Sequence, residues 1–486
     1  MVDQESMTDK ASKYKFPPGA LVGNTYDLFF FSIVDFSYLR QRPQQLAYHF
    51  AKRGHRVFYL SISQFLPADS GEDFEIKEIK KNIYEVFLKS PSFLRVYEDY
   101  IDSKVLEILY RSLNGLRKKW GLITTVSLVH NPFWSPLVYR MREEHGWKII
   151  YDCMDEWDTF KGVGRPFLDQ ENILVRNADL VLVTAGLLYE KWSKQARRCI
   201  LVRNACDYEH FARISPNTLL ADVRKPIIGF FGGIAEWVDI DLIRYAARRR
   251  TDWSFVLLGE VFTDVSALKK MDNVHLLGRW PYEEMPSYLF HFDVCIIPFK
   301  KNKVTEAADP VKLYEFLSSG KPIVARDLNE IRQYEDLLYL FDTEEGFVQR
   351  IEKALNEKDA RIREKRRHTA ASNTWDDRID RIDHEIQEIY KKASIVIANV
   401  SREGLEEKLR QKDISLEEQQ RELARLYAIE KGLFWKMAKK LMDLTNQCIF
   451  PPDTRRGRLA FRIVNRIKRN PYKLNKKKER REKHSC

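Results

Sequence analysis

The sequence predicts an α/β fold, with two successive Rossmann-like sets of alternating strands and helices and a helical C-terminal extension. Three observations carry this. Short apolar runs recur between helical stretches from Asp27 onward, and the alternation restarts at Pro226. Runs this short, bounded by turn residues, suit strands of a parallel sheet covered by helices on both faces. Beyond residue 400 the apolar runs give way to a charged sequence with leucines at sevenfold spacing.

In the first half, D-L-F-F-F-S-I-V from Asp27 is a strand, Gln41 to Gly54 a helix, and H-R-V-F-Y-L a second strand. T-T-V-S-L-V-H, K-I-I-Y-D-C-M and L-V-L-V-T are further strands, and Cys199 to Asp207 closes this half. The second half offers P-I-I-G-F-F-G-G, S-F-V-L-L-G, V-H-L-L-G, V-C-I-I-P-F and P-I-V-A as strands. Helices are expected from Ile240 to Arg250, Tyr282 to Phe290, Val311 to Ser319 and Glu344 to Asn356, with Asp359 to Lys392 strongly helical. The expected organisation is a leader over 1–24, a first domain over 25–207, a connection over 208–225 and a second domain over 226–372. A bracing helix over 373–399, a coiled-coil candidate over 400–431 and an amphipathic basic tail over 432–486 complete it.

At 486 residues the chain has room for two to three domains of ~150 residues, and 44% hydrophobic residues supply sizeable cores. No segment reaches the ~18 consecutive apolar residues of a membrane span. The early run Leu28 to Val34 is too short for a signal-peptide core, so the expectation is a cytosolic protein. The six cysteines (Cys153, Cys199, Cys206, Cys295, Cys448 and Cys486) show neither C-x-x-C nor metal-ligand spacing. They read as reduced structural thiols, with no metal or cofactor expected.

The net charge of +12 is unevenly placed. Residues 455–486 hold 14 Lys and Arg against 2 Glu, which leaves 68 basic and 68 acidic residues elsewhere. The tail alone is basic, and its Lys and Arg interleave with Phe461, Ile463, Val464 and Ile467, behind Phe434, Trp435, Leu441 and Met442. That composition suits an anionic membrane surface; a solvated charge run and nucleic-acid binding are the competing readings, the latter the weaker. Leu409, Leu416 and Leu423 give a coiled-coil seam through which the chain could form an oligomer, but Lys412 and Gln419 interrupt the alternate seam.

The most informative stretch is Asp293 to Arg326. A buried strand is followed by Asp309-Pro310, read as the N-cap and first position of a helix that ends at Gly320. A helix mouth at a strand's carboxyl end is where α/β sheets bind phosphorylated ligands. Lys312 and Glu315 share one face of that helix, a pair able to meet a phosphate and a sugar hydroxyl; a surface ion pair is the plain alternative. Gly232 and Gly233 close the strand P-I-I-G-F-F, where free backbone N–H groups can approach a diphosphate, or where the chain merely turns.

E-F-L-S-S-G-K-P-I-V-A resembles the donor-site segment of the retaining family-4 glycosyltransferases of the GT-B fold, and D-P-x-K-x-Y-E resembles a subgroup common in bacterial surface-polysaccharide synthesis. The resemblance covers roughly residues 25–395. It implies two Rossmann-like domains facing a cleft, a nucleotide-sugar donor in the second, and a glycan or lipid-linked acceptor on the side of the first. Glu315 takes the position of the ribose-binding Glu, and the partner Glu eight residues earlier is here Ala307, between Glu306 and Asp309. The glycine turn of the family contacts the donor phosphates, and the basic residue that normally follows it is missing, a role Lys312 or Arg279 would take over. The family's catalysis rests on electrostatic stabilisation of the leaving diphosphate, with no metal. Asp309 is a further donor-site candidate.

On the first domain, R-Q-R-P-Q-Q-L-A places Arg40 and Arg42 above a strand end, as candidates for a phosphate of either substrate or as surface arginines. His130 and Asp155 end neighbouring strands at the same rim and are the candidates for chemistry on the acceptor side. His130 reads equally as a rim histidine, and Asp155 as a helix cap. The reading is a glycosyltransferase. The alternatives are a degenerate GT-B scaffold, which Ala307 and the missing basic residue favour, and a nucleotide-sugar epimerase.

Overall fold

The computed structural model describes residues 25–398 except 92, 161 and 214–216, together with isolated helical positions between 418 and 436. Met1–Ile395 form one compact unit and Val396–Cys486 a second. The leader over 1–24 lies outside the described residues, as do the coiled-coil candidate and the basic tail apart from those isolated positions.

The first domain is built on β1 (Asp27–Phe31), β2 (Val57–Leu60), β3 (Phe74–Lys80), β4 (Ile83–Leu88), β5 (Thr125–Val129), β6 (Lys148–Cys153), β7 (Leu180–Val183) and β8 (Cys199–Leu201). Their order across the sheet is β3-β4-β2-β1-β5-β6-β7-β8. All neighbours run parallel except β3, which pairs antiparallel with β4. Repeated strand–helix units led us to expect a wholly parallel sheet, and β3 is the exception. Its sequence F-E-I-K-E-I-K alternates apolar and charged residues, and the strand is largely exposed. Such a pattern suits an edge strand, whereas β1, β2, β5 and β7 are buried throughout.

The second domain holds β9 (Ile227–Phe231), β10 (Ser254–Leu258), β11 (Val274–Gly278), β12 (Val294–Ile297), β13 (Ile323–Arg326) and β14 (Tyr339–Phe341), in the order β11-β10-β9-β12-β13-β14. Every described pairing here is parallel. In each sheet the strand order reverses beside the first strand: β1 lies between β2 and β5, and β9 between β10 and β12. Ligands of open α/β sheets bind at the carboxyl ends of the strands at that reversal.

The stretch Asp359 to Lys392 is two helices, Ala360–Ala371 and Trp375–Ala398, rather than one. Between them Cys206 N donates to the Asn373 carbonyl at 3.2 Å, and the Thr374 amide is taken by the Asp377 carboxylate at 3.0 Å. A new helix start thus interrupts the run. Trp375, Ile379, Ile382, Ile386 and Tyr390 are almost wholly buried against Leu28, Val126, Leu128, Ile150 and Leu182 of the first sheet.

The two domains are clasped beside the crossover. Asn204 donates its backbone N–H to the Asp309 carboxylate and its side-chain amide to the Asp309 carbonyl, both at 2.6 Å. Arg203 pairs with Glu330 at 2.7 Å.

Candidate functional site

The carboxyl ends of β1 and β9 face a cavity of about 840 Å³ lined by both domains. Arg40, Tyr48 and Asp155 contribute from the first domain; Gly232, Gly233, Arg279, Asp309, Lys312 and Glu315 contribute from the second.

Gly232 leaves β9 at φ +129°, a conformation that favours glycine, and a side chain there would lie 2.8 Å from Lys312 Cε. Lys312 therefore lies against the glycine turn, near the rings of Phe230 and Phe299 at 5.3 and 4.9 Å. The helix Val311–Ser319 has Pro310, not Asp309, at its N-cap, and no side chain caps it. The expected Asp309 cap is replaced by the clasp to Asn204 and by the Tyr314 hydroxyl, which donates to Asp309 at 3.1 Å. Asp309 borders the cavity, but its carboxylate is already bound, and burial raises it to about 7. The uncapped helix start leaves backbone N–H groups for a ligand.

Neither the Lys312 ammonium nor the Glu315 carboxylate has a hydrogen-bonding or ion-pair partner among the described residues; Ser318 donates only to the Glu315 carbonyl. Burial raises the Glu315 carboxyl and lowers the Lys312 ammonium, each partly opposed by the other's charge. A carboxylate and an ammonium held part-desolvated and unpaired at a cavity wall are an arrangement that a ligand completes. Glu306 points elsewhere, accepting from the Asn329 amide at 3.2 Å, and Ala307 is buried.

On the first domain the structure separates the sequence candidates. Asp155 lines the cavity, makes no side-chain hydrogen bond among the described residues, and is raised by burial to about 6. His130 was expected at the rim but is fully buried, with its Nε2 3.4 Å from Asp152 and its ring against Phe30. It directly follows β5 and lies beside Asp152, outside the lining of the cavity. Arg42 borders the cavity, as expected, but it is buried and its guanidinium is already bound: its Nε and Nη2 grip Asp152 at 2.8 and 2.9 Å, and its Nη1 reaches Asn204 at 3.3 Å. A bidentate grip of this kind satisfies the guanidinium within the protein. Arg40 does face the cavity, between the rings of Tyr48 and Tyr282. Arg279 ties the domains together by donating to the Ser37 and Tyr38 carbonyls, the former at 3.2 Å, and it lies 3.9 Å from Glu260.

Sequence reasoning missed the aromatic walls, Tyr38, Tyr48, Phe262, Trp280 and Tyr282. Trp280 and Tyr282 follow β11, so the rule that strand exits carry site residues would have found them. Tyr48 lies inside a helix and carries no such signal.

Residues 225–357 match the family model described as Glycosyl transferases group 1. The chain is 28% identical over 260 residues to a Bacillus subtilis (strain 168) protein named for a glycosyltransferase role in teichuronic acid biosynthesis. That match takes in 47% of this chain and 64% of that protein's length, just under two thirds. Among solved structures the fold is similar to sucrose-phosphate synthase from Thermosynechococcus elongatus, at a TM-score of 0.59 and 13% identity over 76% of this chain and 100% of that one. It is also similar to the catalytic domain of starch synthase IV from Arabidopsis thaliana, bound to ADP and acarbose, at 0.55 and 12% over 75% and 99%. Residues 225–357 are thus similar to a group 1 glycosyl transferase domain, set within a chain of two Rossmann-like domains with the GT-B fold.

Proposed function

We propose that this chain is a glycosyltransferase. It moves a sugar from a nucleotide-sugar donor on the second domain to a glycan or lipid-linked acceptor on the first, in cell-surface polysaccharide synthesis. The observation that carries the reading is the unpaired Lys312 and Glu315 beside Gly232, in the segment that matches the group 1 model. The name of the Bacillus relative supports the polysaccharide context.

In this reading Glu315 accepts hydrogen bonds from the ribose hydroxyls. The N–H groups at Gly232 and Gly233, with Lys312, hold the diphosphate, and Asp155 binds the acceptor hydroxyl. The bond from the anomeric carbon to the diphosphate oxygen breaks, and its electron pair stays with the diphosphate. The acceptor oxygen forms the new bond and passes its proton to the leaving diphosphate oxygen. Positive charge and backbone N–H groups around the leaving oxygens lower the barrier without a protein nucleophile. Retention of configuration follows the family resemblance. His130 and Arg42 act at one remove, by fixing Asp152 and the strand end that carries Asp155. The basic tail holds the enzyme at an anionic membrane, where a lipid-linked acceptor resides.

Titration calorimetry with UDP, GDP, ADP and dTDP tests the donor site. Glu315→Ala should weaken the diphosphate that binds by ~1.5–3 kcal/mol, the range for a hydrogen bond to a charged group. Equal affinity in a folded mutant would remove the reading.

A further inference from the structure

The cavity holds four arginine and lysine side chains that could meet a diphosphate, and two are already committed: Arg42 to Asp152, and Arg279 to backbone carbonyls of the first domain. Lys312 and Arg40 remain. Arg40 is held in an unusual way. Its guanidinium carbon lies 4.3 Å from the ring centre of Tyr48, in the first domain, and 4.3 Å from that of Tyr282, in the second. Its Nε is buried with no hydrogen-bond acceptor among the described residues, and Glu283 approaches only to 3.9 Å. Its charge is felt at Glu315. Tyr282 is fixed in turn: its hydroxyl accepts from Gln45 Nε2 at 3.0 Å, and its ring stacks on His210 at 4.7 Å.

We propose that Tyr48 and Tyr282 are positioning residues that clamp Arg40 over the donor pocket, so that the first domain supplies a cation to the diphosphate only while the domains stand as they do here. This inference rests on the donor-site reading above. A planar guanidinium can stack between two rings and still point its N–H edge at a phosphate, whereas a flexible ammonium cannot hold both contacts. Because the rings come from different domains, a displacement of either domain removes one side of the clamp. As the sugar–oxygen bond breaks and charge gathers on the diphosphate, Lys312 then meets it from the second domain and Arg40 from the first.

The test compares each of UDP, GDP, ADP and dTDP with its matching nucleoside by titration calorimetry. Arg40→Gln, Tyr282→Leu and Tyr48→Leu should each weaken the diphosphate about tenfold or more, the effect of losing a charge-assisted contact. They should change nucleoside affinity far less. Tyr282→Phe gives up the Gln45 contact but keeps the ring and its stacking on His210, so it should lose far less than Tyr282→Leu, while Arg40→Lys should recover only part of the loss. Equal losses for nucleoside and diphosphate in Tyr282→Leu would reduce the clamp to simple packing, and no loss in Arg40→Gln would overturn it. Should Tyr282→Leu fail to fold, Tyr48→Leu tests the clamp from the other side, and a loss there confined to the diphosphate still supports it. Wild-type protein that binds none of the diphosphates fails the donor reading itself; binding that Arg40→Gln leaves intact fails only the clamp.

Discussion

Asp152 and Asp155 sit three residues apart at the end of β6, in the sequence Y-D-C-M-D-E-W, yet their surroundings treat them in opposite ways. Burial disfavours both charges. For Asp152 the Arg42 guanidinium and His130 outweigh it and hold the carboxyl at about 2; for Asp155 nothing does, and burial lifts it to about 6. The consequences for stability have opposite signs. Asp152 contributes stability above its unfolded value near 3.8, and that contribution is lost as pH falls towards 2. Asp155 favours the fold while protonated and becomes a cost as pH rises through about 6. Asp155→Asn should therefore be more stable than wild type by ~1–2 kcal/mol at pH 8, and equal to it near pH 3. Denaturant unfolding at the two pH values reads this directly. The same variant should lose sugar transfer and keep diphosphate affinity, a trade of stability against function. Nothing local in the sequence told the two aspartates apart, because the guanidinium that separates them comes from residue 42.

At the scale of elements, the cavity beside Lys312 depends on two loops packed backbone to backbone. A side chain at Gly259, which has φ +152°, would stand 1.9 Å from the carbonyl oxygen of Gly232. At Gly233 it would meet nothing nearer than 3.7 Å, from Phe262 and Trp237. Gly259→Ala should thus cost several kcal/mol (~2–4) and displace the turn beside Lys312, while Gly233→Ala should stay within ~1 kcal/mol. Thermal melts with and without diphosphate distinguish the two. Strands of the second domain were legible because four or five apolar residues between turn signals leave little choice, and V-H-L-L-G was read to the residue. The helix that carries Lys312 and Glu315 was equally legible, from Val311 to its glycine stop at Gly320. Its cap was not, since Asp309 is claimed by Asn204, a residue over a hundred positions away. β3 and β4 went unread because charges interrupt the apolar residues of an edge hairpin. His130 was misplaced for a related reason: a strand-end position does not reveal which face of the strand is sealed.

For the whole molecule, the full excess of charge sits in residues 455–486, behind the Trp435-containing segment. Intact protein should sediment with anionic vesicles, weaken with added salt, whose screening length is ~8 Å at physiological strength, and bind neutral vesicles poorly. Protein lacking 432–486 should stay in solution and still bind diphosphate. If both forms pellet alike, the tail is not the anchor. The body has its own long-range dependence. The chain leaves the first domain at the crossover, builds the second, and returns with the helix from Trp375 to lay five nearly sealed side chains on the first sheet. At ~1.5–3 kcal/mol each, their burial is of the same order as the ~5–15 kcal/mol that separates a folded domain from its unfolded chain. During synthesis the first domain therefore emerges with one face of its sheet covered only in part, by Leu46, Ala47 and Phe50, and must wait for about 170 further residues before the rest is covered. A ribosome that stalls within the second domain leaves a sticky nascent chain, and a detached peptide spanning 373–392 is the piece that would make the truncated product whole.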